Sequence, residues 1–138
     1  MNNSKIKIAA ETLYNSRVNL KRIKELRNDC IPKTIQEAYD IQDELAKRYI
    51  SADKNTSLIG KKIGCTNKAA QVQLNIKESF FGNMFSNNIS KSNSIINSEK
   101  YFSPFVEPEF SFVMKNELEI SKAPYNPKNV YESVSAVL

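Results

Sequence analysis

The chain has three glycines in 138 residues, and all of them, Gly60, Gly64 and Gly82, lie within one stretch of 25 residues from Leu58 to Gly82. Glycine weakens helices and strands. A chain this poor in it keeps glycine where a side chain would be in the way: at a left-handed turn, or where backbone meets a neighbour or ligand closely. The segment Leu58-Ile59-Gly60-Lys61-Lys62-Ile63-Gly64-Cys65-Thr66-Asn67-Lys68-Ala69 reads as a short apolar strand over 58–64, a glycine turn, and a helix opening at Thr66 as N-cap. On a strand Lys61 and Lys62 face opposite sides, so one is solvated while the other turns inward between two glycines. An inward lysine can pair with a carboxylate, or move a proton if burial or a nearby metal lowers its pKa. By themselves the residues favour the plainer reading of two surface lysines on an edge strand.

The rest of the chain is read outward from that strand. Apolar residues at three- and four-residue steps (Ile6, Ala9, Ala10, Leu13, Leu20, Ile23, Leu26) predict a helix over 4–28, ended by Asn28-Asp29 and Pro32. Thr34-Ile35-Gln36-Glu37 is a capping box, in which the hydroxyl covers an orphan N–H and the glutamate reaches back. It predicts a second helix to about Ile50 with Ala38, Ile41, Leu45 and Tyr49 on one face, then a loop over 51–57. Phe80 and Phe81 are expected in the core. Residues 86–98, rich in Asn and Ser, form a loop with at most a weak strand at Ile95-Ile96. Alternation of Phe110, Phe112 and Met114 with Glu109, Ser111 and Val113 predicts a strand over 106–115. Asn126-Pro127 opens a last helix with Val130, Val134, Val137 and Leu138 on one face. The chain is expected to be α+β, with an N-terminal helical region (1–57) followed by the start of a β-rich domain (58–138). It stops inside an apolar run with no cap, as a truncated piece of something longer would.

Composition removes several chemistries. There is no histidine, so His-dependent triads, His-liganded zinc and imidazole shuttles are excluded. Cys30 and Cys65 are too few for a disulfide scaffold and lack metal-ligand spacing, and they read as reduced thiols. No apolar run reaches membrane-spanning length and no secretion signal opens the chain, so a cytoplasmic location with no membrane partner is expected. The net charge is +5, but the lysines are mixed with acids along the chain. This describes a solvated surface suited to a small anionic substrate, with no nucleic acid.

The remaining chemistry rests on oxygen and lysine. Glu107 and Glu109 are two apart on the expected strand, so both carboxylates leave one face. They repel unless a cation lies between them or one is protonated, and oxygen ligands suit Mg²⁺ or Mn²⁺. Ordinary exposed charges on a solvent-facing strand explain the same spacing. The helix N-terminus at Thr66 could receive a carboxylate oxygen as well as be capped. Tyr101, Tyr125 and Tyr131 read as packing residues.

Together these stretches resemble the 2-keto-4-pentenoate hydratase and 4-oxalocrotonate decarboxylase family of the fumarylacetoacetate hydrolase superfamily. Gly60 to Ala69 is similar to the family's G-x-K-I-G-x-T-S-K-A signature, Ala38-Tyr39-Asp40-Ile41-Gln42 to its A-Y-x-[IV]-Q helix, and Val106 to Val113 to its E-x-E-[IL]-A-F-V strand, in that order. The likeness covers the N-terminal portion of the family's fold, helices followed by the start of a mixed β-roll, from about Thr34 onward. It implies a Mg²⁺- or Mn²⁺-dependent hydratase-type lyase acting on 2-hydroxydienoates or their 2-oxo acid tautomers in aromatic catabolism. Glu107 and Glu109 would be metal ligands, Lys62 the catalytic lysine and Thr66 a substrate contact, and the full-length parent would be a homo-oligomer. The family's third carboxylate ligand lies beyond the stretch matching 134–138. The hydratases place an aspartate where Phe80 stands, a departure that weighs against hydration. The alternatives are a 2-oxo acid decarboxylase or acylpyruvate hydrolase of the same superfamily, or a non-catalytic truncated pseudoenzyme.

Overall fold

A computed structural model describes all residues, Met1–Leu138, in two compact units, Met1–Phe102 and Ser103–Leu138. The first unit is built on two helices, α1 (Asn3–Val18) and α2 (Ile35–Ala52). Ala9 and Ala10 of α1, Ile41 of α2, and Cys30 from the segment between the helices form its small core, with Ile6, Leu13, Leu26 and Leu45 packed around it. The small alanine side chains allow the helices to approach closely.

Helix α1 ends ten residues short of the helix expected over 4–28. Leu20 adopts φ 48°, the Lys21 N–H donates to the Ser16 carbonyl (2.9 Å), and the Leu20 N–H donates to that of Arg17 (3.3 Å). This is a Schellman closure with leucine at the left-handed position that usually takes glycine or asparagine. Leu20 and Ile23 are 43% and 38% exposed: with no partner face, their helical spacing secured no helix. The capping box of α2 forms as read. The Thr34 hydroxyl accepts from the Glu37 N–H (3.1 Å), and Glu37 reaches back to the Lys33 N–H (2.7 Å). After α2, the Asp53 carboxylate accepts from the Asn55 N–H and the buried Thr56 hydroxyl. These bonds, the Asn55 N–H foremost, hold its pKa below the usual value and turn the chain into the first strand.

Strand β1 (Leu58–Gly64) pairs antiparallel with β2 (Phe80–Phe85), with a register irregularity between Leu58 and Gly60. The short helix α3 (Lys68–Gln73) lies between them. Aromatic contacts tie the sheet to the helices. Tyr39 stacks on Phe81 (centroids 4.4 Å apart), and Tyr49 lies between Tyr14 and Phe85 at 5.1 and 5.3 Å. Of the phenylalanine pair expected in the core, Phe81 is packed in this way and Phe80 remains 45% exposed. No strand forms at Ile95-Ile96.

The second unit carries β3 (Phe112–Met114), α4 (Pro127–Glu132) and β4 (Val134–Val137), with β3 and β4 antiparallel. Two expectations are corrected there. The strand read over 106–115 shrinks to three residues, Phe112–Met114, and Pro108 within the lost part cannot donate to a ladder. The last helix starts as read, with Asn126 capping the Asn129 N–H (2.9 Å), but ends at Glu132. Val134–Val137 then pairs with β3, where β-branched residues fit a pleated surface better than a helix turn. No helix is long and apolar enough to cross a membrane.

Candidate functional site

Lys62 lies at the middle of β1, exposed as Lys61 is, so neither lysine is turned inward as expected; the register explains the glycine distribution. Side chains two apart on a strand share a face, so Gly60, Lys62 and Gly64 lie on one side of the hairpin, and Gly82 of β2 is directly opposite Lys62. All three glycines therefore border one lysine on one face. The reading of glycine as a turn former does not hold: no glycine has positive φ. Gly64 is required by close approach, since a Cβ there would lie 2.8 Å from the Phe80 ring. A Cβ on Gly60 would meet nothing within 4 Å. Gly60→Ala is therefore expected to leave stability unchanged or raise it by about 0.5 kcal/mol, by restricting the unfolded chain. Gly64→Ala must displace the Phe80 ring and is expected to lose about 1 kcal/mol. Urea denaturation of the two variants checks the contrast.

Lys61 occupies the opposite face. Its ammonium lies 4.8 Å from the Phe81 ring centroid and donates to the Asn83 side-chain carbonyl across the hairpin. The outer edge of β2 is covered by α2: the Phe81 N–H donates to the Tyr39 hydroxyl (3.3 Å) and the Asn83 N–H to Gln42 Oε1 (3.1 Å). The Ala38-Tyr39-Asp40-Ile41-Gln42 segment thus places two acceptors, one helical turn apart, against alternate N–H groups of one strand. Reading the sequence assigned no contact to either side chain. The i, i+3 spacing of polar-tipped residues was the available signal.

The turn after β1 differs from expectation. Cys65, not a glycine, takes the left-handed conformation (φ 55°), and its carbonyl accepts from Gln71 Nε2 (2.9 Å) and the Ser79 hydroxyl (3.2 Å). The N-cap of α3 is Asn67, whose side chain accepts from the Ala70 N–H (2.9 Å), so Thr66 loses the capping role. The Cys65 turn delays the helix by one residue. Both cysteines are free thiols. A mainly apolar cavity of about 280 Å³ adjoins this region, bounded by Ile35, Tyr39, Ile76, Glu78, Phe80 and Phe81.

Lys62 and Thr66 belong to the first unit, Glu107 and Glu109 to the second. Both glutamates are exposed and lie in the irregular segment before β3, so strand alternation does not set their directions. No group of three or more His, Cys, Asp or Glu side chains is placed to hold a metal ion.

No family model matches the chain. Curated relatives do. A 2-keto-4-pentenoate hydratase of Paraburkholderia xenovorans (strain LB400) is 29% identical over 130 residues, covering 94% of this chain and 47% of its own. A 4-oxalocrotonate decarboxylase of Pseudomonas sp. (strain CF600) is 26% identical over 106 residues, covering 77% and 39%. The fold matches a 4-oxalocrotonate decarboxylase from Pseudomonas putida G7, solved with calcium and acetate and with magnesium and adipate. That match has a TM-score of 0.84 at 23% identity, over 99% of this chain and 51% of that one. The chain spans about half the length of the curated relatives it matches.

Proposed function

We propose that this chain, a homologue of the 2-keto-4-pentenoate hydratases and 4-oxalocrotonate decarboxylases, is the N-terminal portion of a lyase acting on 2-hydroxydienoates or their 2-oxo acid tautomers. The observation that carries the reading is the position of Lys62, central on a strand and bordered on its own face by every glycine of the chain. The open space at Gly60 on the lysine's face leaves room for a small carboxylate to approach the strand, and a lysine there can donate or accept the proton that accompanies enolisation. Thr66, two residues beyond Gly64, is proposed as a second substrate contact.

Glu107 and Glu109 are proposed as ligands of Mg²⁺ or Mn²⁺, the ion that would polarise the 2-oxo acid. Two carboxylates do not complete a site for a hard divalent ion taking about six oxygens. The ion therefore belongs to a longer lyase chain and not to these 138 residues alone. Such a chain is proposed to act as a cytoplasmic homo-oligomer.

Phe80 favours decarboxylation over hydration. Its ring covers Gly64 and has no group to move a proton, whereas adding water to a C=C bond needs a second acid or base beside the lysine. The test is to supply the protein purified from its source with Mg²⁺ and either 4-oxalocrotonate or 2-hydroxypent-2,4-dienoate. CO₂ release from the first should exceed loss of the second by about tenfold or more, the scale of a missing proton-transfer group. Faster hydration would overturn the preference, and turnover of neither would overturn the lyase reading.

A further inference from the structure

Gln71, on α3, is a buried polar side chain, 7% exposed, and both ends of its amide are bonded. The Lys68 ammonium donates to Oε1 (3.2 Å), and Nε2 donates to the Cys65 carbonyl (2.9 Å). An ammonium can only donate, so it fixes which end of the amide is oxygen and turns the NH₂ toward Cys65. The Ser79 hydroxyl donates to the same carbonyl (3.2 Å), so both lone pairs of that oxygen are used. One carbonyl thereby gathers the end of β1, helix α3 and the residue that enters β2.

The Gln71 main chain is anchored as well. Its carbonyl accepts from the Ile76 N–H (2.9 Å), the Asn75 N–H donates to the Val72 carbonyl (3.1 Å), and Asn75 takes φ 52°. This is a Schellman closure with asparagine, an ordinary occupant of the left-handed position. Cysteine is not: Cys65 takes φ 55° with a β-carbon and no side-chain group that favours the conformation. Gly64, which could take it freely, stands one place earlier and is occupied by the approach of the Phe80 ring. A left-handed residue with a side chain persists where its surroundings over-determine it, and such positions gather at functional sites. Here those surroundings are Gln71 and Ser79.

The turn joins two residues of the lyase reading. Lys62 precedes Cys65 by three residues on a paired strand, and Thr66 follows it directly. Thr66 is exposed, so packing does not aim it and the conformation of Cys65 does. We propose that Gln71 and Ser79 are positioning residues, whose bonds to the Cys65 carbonyl hold the left-handed turn that carries Thr66 from the end of β1 toward the substrate. The proposal rests on the lyase reading, in which Thr66 contacts substrate, and names the residues that keep that contact in place.

The test uses the lyase that contains this sequence, with Cys65 intact or replaced. Gln71→Met keeps the length and apolar contact of the side chain and removes the donor. It should lower kcat/KM for the substrate turned over by about tenfold or more, the scale of a misplaced contact. Asparagine adopts the left-handed conformation readily, so in a Cys65→Asn background the same change should cost about threefold or less. Ser79→Ala, at an exposed position, should show a smaller loss that the Cys65→Asn background also removes, and it keeps the test decidable if Gln71→Met does not fold. The intraresidue HN–Hα NOE of Cys65, strong at positive φ, should weaken in either single variant. Equal losses in both backgrounds assign Gln71 and Ser79 to packing alone and overturn the proposal while leaving the lyase reading intact. An unchanged NOE overturns it too. If the unmutated lyase turns over neither substrate, the lyase reading fails, and the NOE decides whether the two donors hold the turn.

Discussion

Lys62→Ala in the lyase that contains this sequence is expected to lower turnover by about 10²–10⁴-fold, the range for loss of a positioned proton-transfer group. Lys61→Ala is expected to leave turnover within a small factor. Two adjacent lysines diverge because β1 sends them to opposite faces. Lys61 lies over the Phe81 ring and donates to Asn83 on the face that meets α2. Removing it loses a cation–π contact and a hydrogen bond, about 1 kcal/mol together at an exposed site. Lys62 shares its face with Gly60, Gly64 and Gly82, and its loss removes the cation from the glycine-bordered side of the hairpin. Steady-state kinetics and thermal unfolding of both variants separate the roles. Equal losses of turnover would remove Lys62 from the chemistry.

Tyr49→Ala is expected to destabilise the first unit by about 2–3 kcal/mol, somewhat below the full cost of emptying a buried aromatic site because Tyr49 is partly exposed. Its ring is the middle of a three-ring contact from Tyr14 of α1 to Phe85 of β2, with centroids 5.1 and 5.3 Å away. The buried apolar residues are three alanines, a cysteine and one isoleucine, so much of what joins the helices to the sheet passes through this ring. Tyr49→Phe keeps both ring contacts, about 0.5–1.5 kcal/mol each, and is expected to cost far less. Against a total stability of about 5–15 kcal/mol, the alanine variant should shift the denaturation midpoint clearly. Midpoints that coincide for the two variants would show that the ring contacts do not join α1 to β2.

Local chemistry read from the sequence located what depends on neighbours along the chain. The Thr34 capping box, the Asn126 cap and the strand over Leu58–Gly64 formed where predicted, because a cap involves four residues and a short apolar run rich in isoleucine favours a strand locally. The glycine-bordered lysine was likewise legible at Gly60 and Gly64. Tertiary structure decided what depends on a partner. Gly82 faces Lys62 only because β2 returns in that register, and Val134–Val137 left the helix for a strand because β3 was there to pair with. Leu20 and Ile23 kept helical spacing but gained no surface to bury against, so the helix closed at Val18. A hydrophobic period states which side chains would share a face if an element formed. Whether it forms depends on the apolar area a distant segment covers, and no local window of sequence contains that quantity.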